Sequence, residues 1–134
     1  MKARRIAMAV AMIVATAVAS FSTMAQAPGI KRTHLLKSDL SVPGREVVQL
    51  LVGIAPGVIA PDHTHPGEEI VYVVEGSLEY TLEGSPPVTL KAGEALFIPA
   101  GVPHVVTNVG SGEASELATY IVEKGKPLLT LVKE

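Results

Sequence analysis

The sequence predicts an all-β fold, and three observations lead to that class. All ten prolines and all twelve glycines lie beyond Ala27, so the rest of the chain is dense in turn-forming residues. Short apolar or alternating runs lie between those turns, as expected of many short strands. No segment beyond Ala27 carries apolar residues at helical spacing over a useful length. At 134 residues, one domain is the natural count.

Eight strands are predicted in that part of the chain, at residues 46–54, 59–65, 70–75, 77–82, 88–90, 95–98, 104–108 and 116–122. The leucine-rich tail at 126–132 is a candidate for one more. Residues 26–45 are expected to form an N-terminal segment, and residues 46–134 to form the domain itself.

Residues 1–25 have the layout of a secretory signal peptide. Three basic residues among the first five precede an apolar, alanine-rich stretch at 6–19, and small residues follow. That stretch is too short to be a good membrane span. Cleavage is predicted after Ala25, because a cut after Ala27 would place a proline next to the scissile bond. We therefore expect a periplasmic or secreted protein without a stable membrane span.

Cleavage of the signal peptide would leave an acidic domain. It removes three of the eleven Lys and Arg residues, so eight remain against thirteen Asp and Glu. An acidic domain is a poor match for nucleic acid, and no nucleic-acid partner is expected. The chain has no cysteine, so an exported form must be stabilised by packing, metal binding and subunit contacts without disulfides.

Three of the four histidines and one glutamate form a candidate metal site. His63 and His65 are one residue apart, so both side chains share a face of an extended strand. Glu69 begins the next apolar run after a proline and a glycine, and His104 begins a later strand after a tight turn. Neutral imidazole nitrogens with one carboxylate suit divalent first-row metal ions.

Each of these residues taken alone has an ordinary explanation. Paired histidines occur in surface loops, a glutamate is commonly solvated, and a core histidine can be satisfied by hydrogen bonds. The glycines and prolines around them form a further pattern. The first part reads Gly57, five residues, His63, one, His65, three, Glu69, six, Gly76, and the second reads Gly93, five, Pro99, one, Gly101, two, His104, three, Asn108. Both parts resemble the two signature motifs of the cupin superfamily.

The resemblance to small single-domain cupins implies a single conical antiparallel β-barrel of the jelly-roll type, with metal ligands pointing inward from facing strands. It implies that His63, His65, Glu69 and His104 bind one divalent transition metal ion, among Mn, Fe, Ni, Cu and Zn. Asn108 matches a position that is usually structural. A small barrel with apolar outer strands often pairs with a second copy, so a homodimer is expected. His34, the remaining histidine, is expected at the surface.

Two kinds of chemistry suit such a site, and both act on a small molecule. In the first, the metal binds an enol or hydroxy-ketone as an anion that dioxygen attacks, as in the dioxygenases that resemble this site. In the second, the metal is only a Lewis acid, as in cupin decarboxylases, isomerases and lyases. A module that binds a small molecule or metal without turnover would carry the same four ligands.

The choice between these chemistries depends on which groups can move a proton. Some small metal-dependent lyases of the family carry a catalytic tyrosine two residues after the glutamate ligand, where this chain has Val71. Tyr72 has the wrong pleat parity, and the apolar side chains expected to line the pocket are Val71, Val73, Phe97 and Val106. Because the inward positions offer few acids, oxygen chemistry is favoured, with Glu69 as both ligand and catalytic proton acceptor.

Overall fold

A computed structural model describes residues 27–133, which form ten strands and no helix. The strands are β1 Ile30–Asp39, β2 Arg45–Ile54, β3 Ile59–Thr64, β4 Gly67–Glu75, β5 Ser77–Leu82, β6 Val88–Lys91, β7 Ala95–Ile98, β8 His104–Asn108, β9 Ala114–Glu123 and β10 Thr130–Leu131. The predicted all-β class is therefore confirmed. Within this part of the chain no helix could cross a membrane. The predicted signal peptide, residues 1–25, lies outside the described residues.

The strands form two five-stranded antiparallel sheets. The first sheet has the order β1-β2-β9-β4-β7, and the second has the order β10-β3-β8-β5-β6. Buried apolar side chains from both sheets make up one hydrophobic core. Among residues 27–133 no ladder joins the two sheets, so the jelly roll consists of two packed sheets and is not closed into the single barrel that was expected.

Strict alternation along the long strands builds this core. In β2 every second residue from Glu46 to Ile54 is buried, and β9 repeats the pattern from Ala114 to Val122. The two strands pair over ten residues, so their buried faces coincide. Because successive side chains of a strand point to opposite faces, this period places one face of the first sheet against the second sheet. Burying one such Leu or Val stabilises the fold by about 1.5–3 kcal/mol.

One strand was not predicted from the sequence. β1 pairs with β2 from Ile30 to Asp39, with a register shift between His34 and Leu36. It is an edge strand exposed on most of both faces, so its sequence lacks the alternation that marks a half-buried strand. The domain boundary at residue 46 stays a prediction. The candidate strand in the tail is present as β10, which pairs with β3 over two residues.

Two glycines let β4 lie close to its neighbours. At Gly67 a Cβ atom would lie 2.0 Å from the carbonyl oxygen of Ile121 in β9, so no other residue fits there. Gly76 joins β4 to β5 with a φ of +78°, and a Cβ atom would lie 2.7 Å from that of Ala114. Both glycines therefore help to hold β4, which carries Glu69, against β9.

Candidate metal centre

The structure brings the four predicted ligands together between the two sheets. His63 lies near the end of β3 and is the register partner of His104 at the start of β8. His65 directly follows β3, and Glu69 projects from β4 in the other sheet. The four residues are between 1% and 6% exposed, so all are buried. Strand pairing therefore joins the two motifs, which are far apart in the sequence.

The metal-binding atoms of these side chains converge. The candidate ligand atoms of His63, His65 and His104 all lie within 4.8 Å of one another. Oε2 of Glu69 lies 3.1 Å from Nε2 of His65 and 3.2 Å from Nε2 of His104. Adjacent ligands that are each about 2.1 Å from one octahedral ion would be about 3 Å apart. The two distances from Glu69 match adjacent ligands of one divalent transition metal ion, and the three histidine atoms lie near enough together to share it after a small movement.

A backbone carbonyl oxygen lies within hydrogen-bond distance of Nδ1 of each histidine. The distance from Nδ1 to a carbonyl oxygen is 2.7 Å from His63 to Pro61, 2.6 Å from His65 to Leu128 and 2.9 Å from His104 to Val102. A carbonyl oxygen only accepts, so in the neutral rings each Nδ1 carries the proton and donates it. The lone pair is then on Nε2, and ring orientation is fixed as it is in protein metal sites.

Two buried polar atoms in the site lack a hydrogen-bond partner. They are Nε2 of His65 and Oε2 of Glu69, which lie close together but are not aligned as a hydrogen bond. A buried polar atom without a partner costs about 1–3 kcal/mol. A cation bound by both atoms would remove that cost, which is a second sign that the residues fit a metal.

Burial and mutual contact shift the pKa values of these groups. Burial, followed by the charge of His104, lowers the pKa of His63 to about 4. Burial by itself would raise the pKa of Glu69, but the contacts with His104 and His65 outweigh it and lower that pKa to about 2. Burial likewise lowers the pKa of His104, and the contact with Glu69 outweighs it and raises that pKa. At neutral pH the site therefore combines a neutral His63 with a charged Glu69, the forms that bind a cation.

The structure also places an acid in the site that the sequence analysis missed. Glu116 on β9 is 4% exposed and lines the same cavity as His63 and Glu69, and the Tyr80 hydroxyl donates a hydrogen bond to its carboxyl group. Burial, followed by the charge of Glu69, raises the pKa of Glu116 to about 8. The expectation that inward positions offer few acids was therefore incomplete. Glu116 could have been found from the sequence, because it lies on the same alternating set of positions as the inward residues of β9, which include Tyr120.

The cavity is small and its apolar walls differ in part from those predicted. Its free space is about 20 Å³, enough for about one or two water molecules. Val106 lines it as expected, whereas Val71 and Val73 are fully buried in the core and do not lie on the cavity wall. Phe97 was expected to face inward and is 57% exposed, because Ile98 takes the inward position of β7.

The two other polar residues discussed above have the positions expected of them. Asn108 donates hydrogen bonds to the carbonyl oxygens of Ile54 and Gly112 and accepts one from the amide of Gly110. It thereby fixes the connection between β8 and β9, as a structural residue would. His34 lies exposed on the edge strand β1.

Three histidines and a glutamate face inward within an antiparallel jelly roll. This arrangement places the chain in the class of all-β proteins whose fold encloses a candidate metal site. A family model described as "Cupin domain" (Cupin_2) matches residues 50–120, just over half of the chain. The chain therefore belongs to the cupin superfamily, as its two motifs predicted.

Two relatives match parts of this chain. The chain is 41% identical over 54 residues to "Dimethylsulfoniopropionate lyase DddQ" of Ruegeria pomeroyi, covering 40% of this chain and 27% of that protein. It is 39% identical over 74 residues to "Germin-like protein subfamily 2 member 2" of Arabidopsis thaliana, covering 52% of this chain and 34% of that protein. The chain thus spans about a third or less of these curated relatives.

A solved structure of oxalate oxidase has a similar fold. It superposes with a TM-score of 0.63 at 30% identity, covering 78% of this chain and 55% of that one. The similar proteins thus include one named as a lyase and one named as an oxidase.

Proposed function

We propose that this chain is an exported, metal-dependent cupin dioxygenase that acts on a small enol or hydroxy-ketone. In this proposal one divalent transition metal ion is bound by His63, His65, Glu69 and His104. The observation that carries it is that three histidines converge, with Oε2 of Glu69 3.1 Å and 3.2 Å from Nε2 of His65 and His104, while each Nδ1 donates to a backbone carbonyl. Similarity to an oxidase structure supports the choice of oxygen chemistry.

In this proposal each group of residues has a separate role. When bound, a redox-active divalent ion supplies Lewis acidity and a path for electrons between a substrate anion and dioxygen. In this proposal Glu69 accepts the proton of the substrate hydroxyl, because its carboxylate lies in the cavity and is unprotonated at neutral pH. Its low pKa makes it a weaker base than an ordinary carboxylate, so its position next to the substrate provides the effect. The apolar side chains of Ile54, Ala60 and Val106 restrict the access of water to that proton.

The test is oxygen uptake by the purified protein with a series of small enols, hydroxy-ketones and oxalate. For the substrate that is turned over, we expect Glu69→Gln to lower kcat by about 10²-fold or more, the usual contribution of a positioned base. Metal content is measured in parallel, so that loss of the ion is distinguished from loss of the base. Glu68→Gln, one residue away and half-exposed, is the matched control. Unchanged turnover in Glu69→Gln would show that this carboxylate is not the base.

A second candidate is a redox-neutral decarboxylase, isomerase or lyase, and Glu116 favours it. A buried carboxyl group on the cavity wall is a proton donor or acceptor that the first candidate does not need. Its presence removes the shortage of acids that favoured oxygen chemistry, and one relative is named a lyase. Product formed without oxygen uptake under anaerobic conditions would support this candidate. Thermal stabilisation by a ligand without any product would indicate a binding module.

We further propose that the protein is exported, on the basis of the three-part layout of residues 1–25. N-terminal sequencing of the protein purified from the periplasm or medium is expected to begin at Gln26. A mature protein that begins at Met1 would contradict export by this signal.

A homodimer is proposed through the outer face of the first sheet. Ile70, Tyr72 and Val74 on β4 and Phe97 on β7 are exposed, each by 41% to 57%, and Ile70 and Phe97 are register partners. Neighbouring exposed apolar side chains of this kind mark interaction surfaces. We expect Phe97→Glu to convert a dimer to a monomer in light scattering. Val88→Glu, in the other sheet, is the control, and an unchanged mass in Phe97→Glu would exclude this face.

A further inference from the structure

A second polar group of residues lies in the cavity beside the candidate metal ligands. Arg32 on β1 and Glu116 on β9 both line the cavity that His63, Glu69 and His104 line. Arg32 reaches it because its register partner in β2 is the buried Val52, so both side chains are on the inward face of the first sheet. The proposed metal site uses neither Arg32 nor Glu116.

The buried carboxyl group of Glu116 lowers the stability of the fold. It is 4% exposed, and its pKa is raised by burial, so the fold would be more stable with a well-packed neutral side chain there. The neighbouring inward positions of β9 carry Ala114, Ala118 and Val122, which pack without such a cost. A buried acid in a cavity, held by a hydrogen bond from Tyr80, indicates a role in binding or chemistry.

Arg32 supplies positive charge next to this acid. Its charge favours the ionised form of both Glu116 and Tyr120, and all three residues line the same cavity. A guanidinium has five N–H donors in a planar arrangement, so it can keep a protein partner and still bind a carboxylate. Arg32 is half-buried, which strengthens such a contact relative to one in open water.

The net charge of the cavity favours an anionic ligand. With a divalent ion bound by three neutral imidazoles and Glu69, and with Arg32 on the cavity wall, positive charge is in excess whether Glu116 is neutral or ionised. An anion removes that excess, whereas a neutral or cationic molecule does not. The free space of about 20 Å³ holds only about one or two water molecules, so an organic anion enters only as the cavity walls move, and a short acid requires the least movement.

We propose that Arg32 and Glu116 form an anchor for the carboxylate of a small organic acid whose second oxygen function faces the histidines. Arg32 donates charge-assisted hydrogen bonds to the carboxylate, and Glu116 is a positioning residue that fixes the guanidinium and contributes a further hydrogen bond. The inference rests on the proposed function, because it assumes that the cavity binds a small molecule. It narrows the substrate class to short acids with a second oxygen donor.

The test uses the full-length mature protein with its own metal and compares malonate with its neutral isostere malonamide by titration calorimetry at constant ionic strength. We expect malonate to bind at least tenfold more tightly than malonamide. Arg32→Gln is expected to lower malonate affinity at least tenfold while metal content stays unchanged. Arg45→Gln, a half-exposed arginine that pairs with Glu68, is the matched control and should bind malonate like the wild type.

Two variants at Glu116 separate positioning from a merely structural role. Glu116→Leu is expected to weaken malonate binding at least tenfold, whereas Glu116→Gln, which keeps a hydrogen-bonding group in place, should bind at least as tightly as the wild type. Metal content and Tm are measured for both variants, so that a failure to fold is recognised. Equal malonate affinity in Glu116→Leu and wild type, with both folded, would remove Glu116 from the anchor.

The outcomes distinguish this inference from the proposed function. If the ion is present and Arg32→Gln binds malonate like the wild type, or the wild type does not prefer malonate over malonamide, the anchor is wrong while the metal site stands. If the purified protein holds no metal, the proposed function fails, and the same comparison decides the anchor on that protein. A malonate preference that is lost in Arg32→Gln would then support it, and its absence would overturn it.

Discussion

Two polar groups lie at the cavity: the histidine end, formed by His63, His65 and His104, and the acidic end, formed by Glu116 and Tyr80. Their polar atoms find hydrogen-bond partners in different ways. At the histidine end, backbone carbonyls accept from Nδ1, and for His63 and His104 the carbonyl belongs to the residue two positions earlier. At the acidic end, Glu116 depends on a side-chain hydroxyl, that of Tyr80, from a strand in the other sheet. The first arrangement leaves the Nε2 lone pairs available to a cation, and the second holds a carboxyl group that resists ionisation.

This difference shows how each end can respond to change. At the histidine end, His63 and His104 are each oriented by a carbonyl of their own segment, and a metal ion would add to the stability of this end. The acidic end is built by long-range contacts, and its buried carboxyl group costs stability. Changes at the histidine end should therefore alter the bound metal, whereas changes at the acidic end should alter the free energy of unfolding.

The largest effect is expected from the double variant His63→Ala, His104→Ala. Removal of two of four proposed ligands should lower the metal content from near one ion per chain to below about one tenth, because the remaining donors cannot hold a divalent ion tightly. Elemental mass spectrometry of protein purified from its exported compartment measures this. The control is His34→Ala, which removes the exposed histidine of β1. An ion retained by the double variant would place the metal site elsewhere.

The next effect, a gain in stability, is expected from Glu116→Gln in metal-free protein. The carboxyl group ionises near its ordinary pKa of 4.5 when unfolded and near 8 when folded, so it favours the unfolded chain progressively as pH rises between those values. Glutamine does not titrate, and it should raise the free energy of unfolding by about 1–3 kcal/mol at pH 7.5 and by less at pH 5.

Urea denaturation at the two pH values measures that difference. Glu75→Gln is the control, because Glu75 is exposed on the adjoining strand β4 and should show no such dependence on pH. A gain for Glu116→Gln that is equal at pH 5 and pH 7.5 would mean that ionisation of Glu116 does not cost stability. The contrast between the two ends of the cavity would then be lost.

The smallest effect is expected from Tyr80→Phe. The change removes the hydroxyl that donates to Glu116 and keeps the ring that fills the core, so it should lower the free energy of unfolding by about 1 kcal/mol. Tyr72→Phe, at a position that is 46% exposed, should change it by less than about 0.5 kcal/mol. Chemical denaturation of both variants makes the comparison, and equal effects would show that the Tyr80 hydroxyl contributes no net stability.

The four candidate ligands could be found in the sequence because a metal site restricts residue type and spacing together. His63 and His65 alternate on one strand, Glu69 follows one turn later, and His104 follows a turn of fixed glycines and prolines. Glu116 has no such neighbours, since its partners come from β5 and β4 and are set by sheet packing. Phe97 was assigned to the wrong face because a strand of four residues gives too short a pattern to fix its parity.

The all-β class, most of the strands, the cupin motifs and the candidate ligands could be inferred from the residues alone, because period-two alternation, turn chemistry and ligand spacing are local properties of the chain. The folded structure was needed to show that β1 extends the first sheet, that the sheets pack without closing, and that Arg32 and Glu116 share a cavity with His63 and His104. These features depend on which faces meet between strands far apart in the chain. Side-chain alternation identifies which face of a strand is buried, but it does not identify the residues that this face packs against.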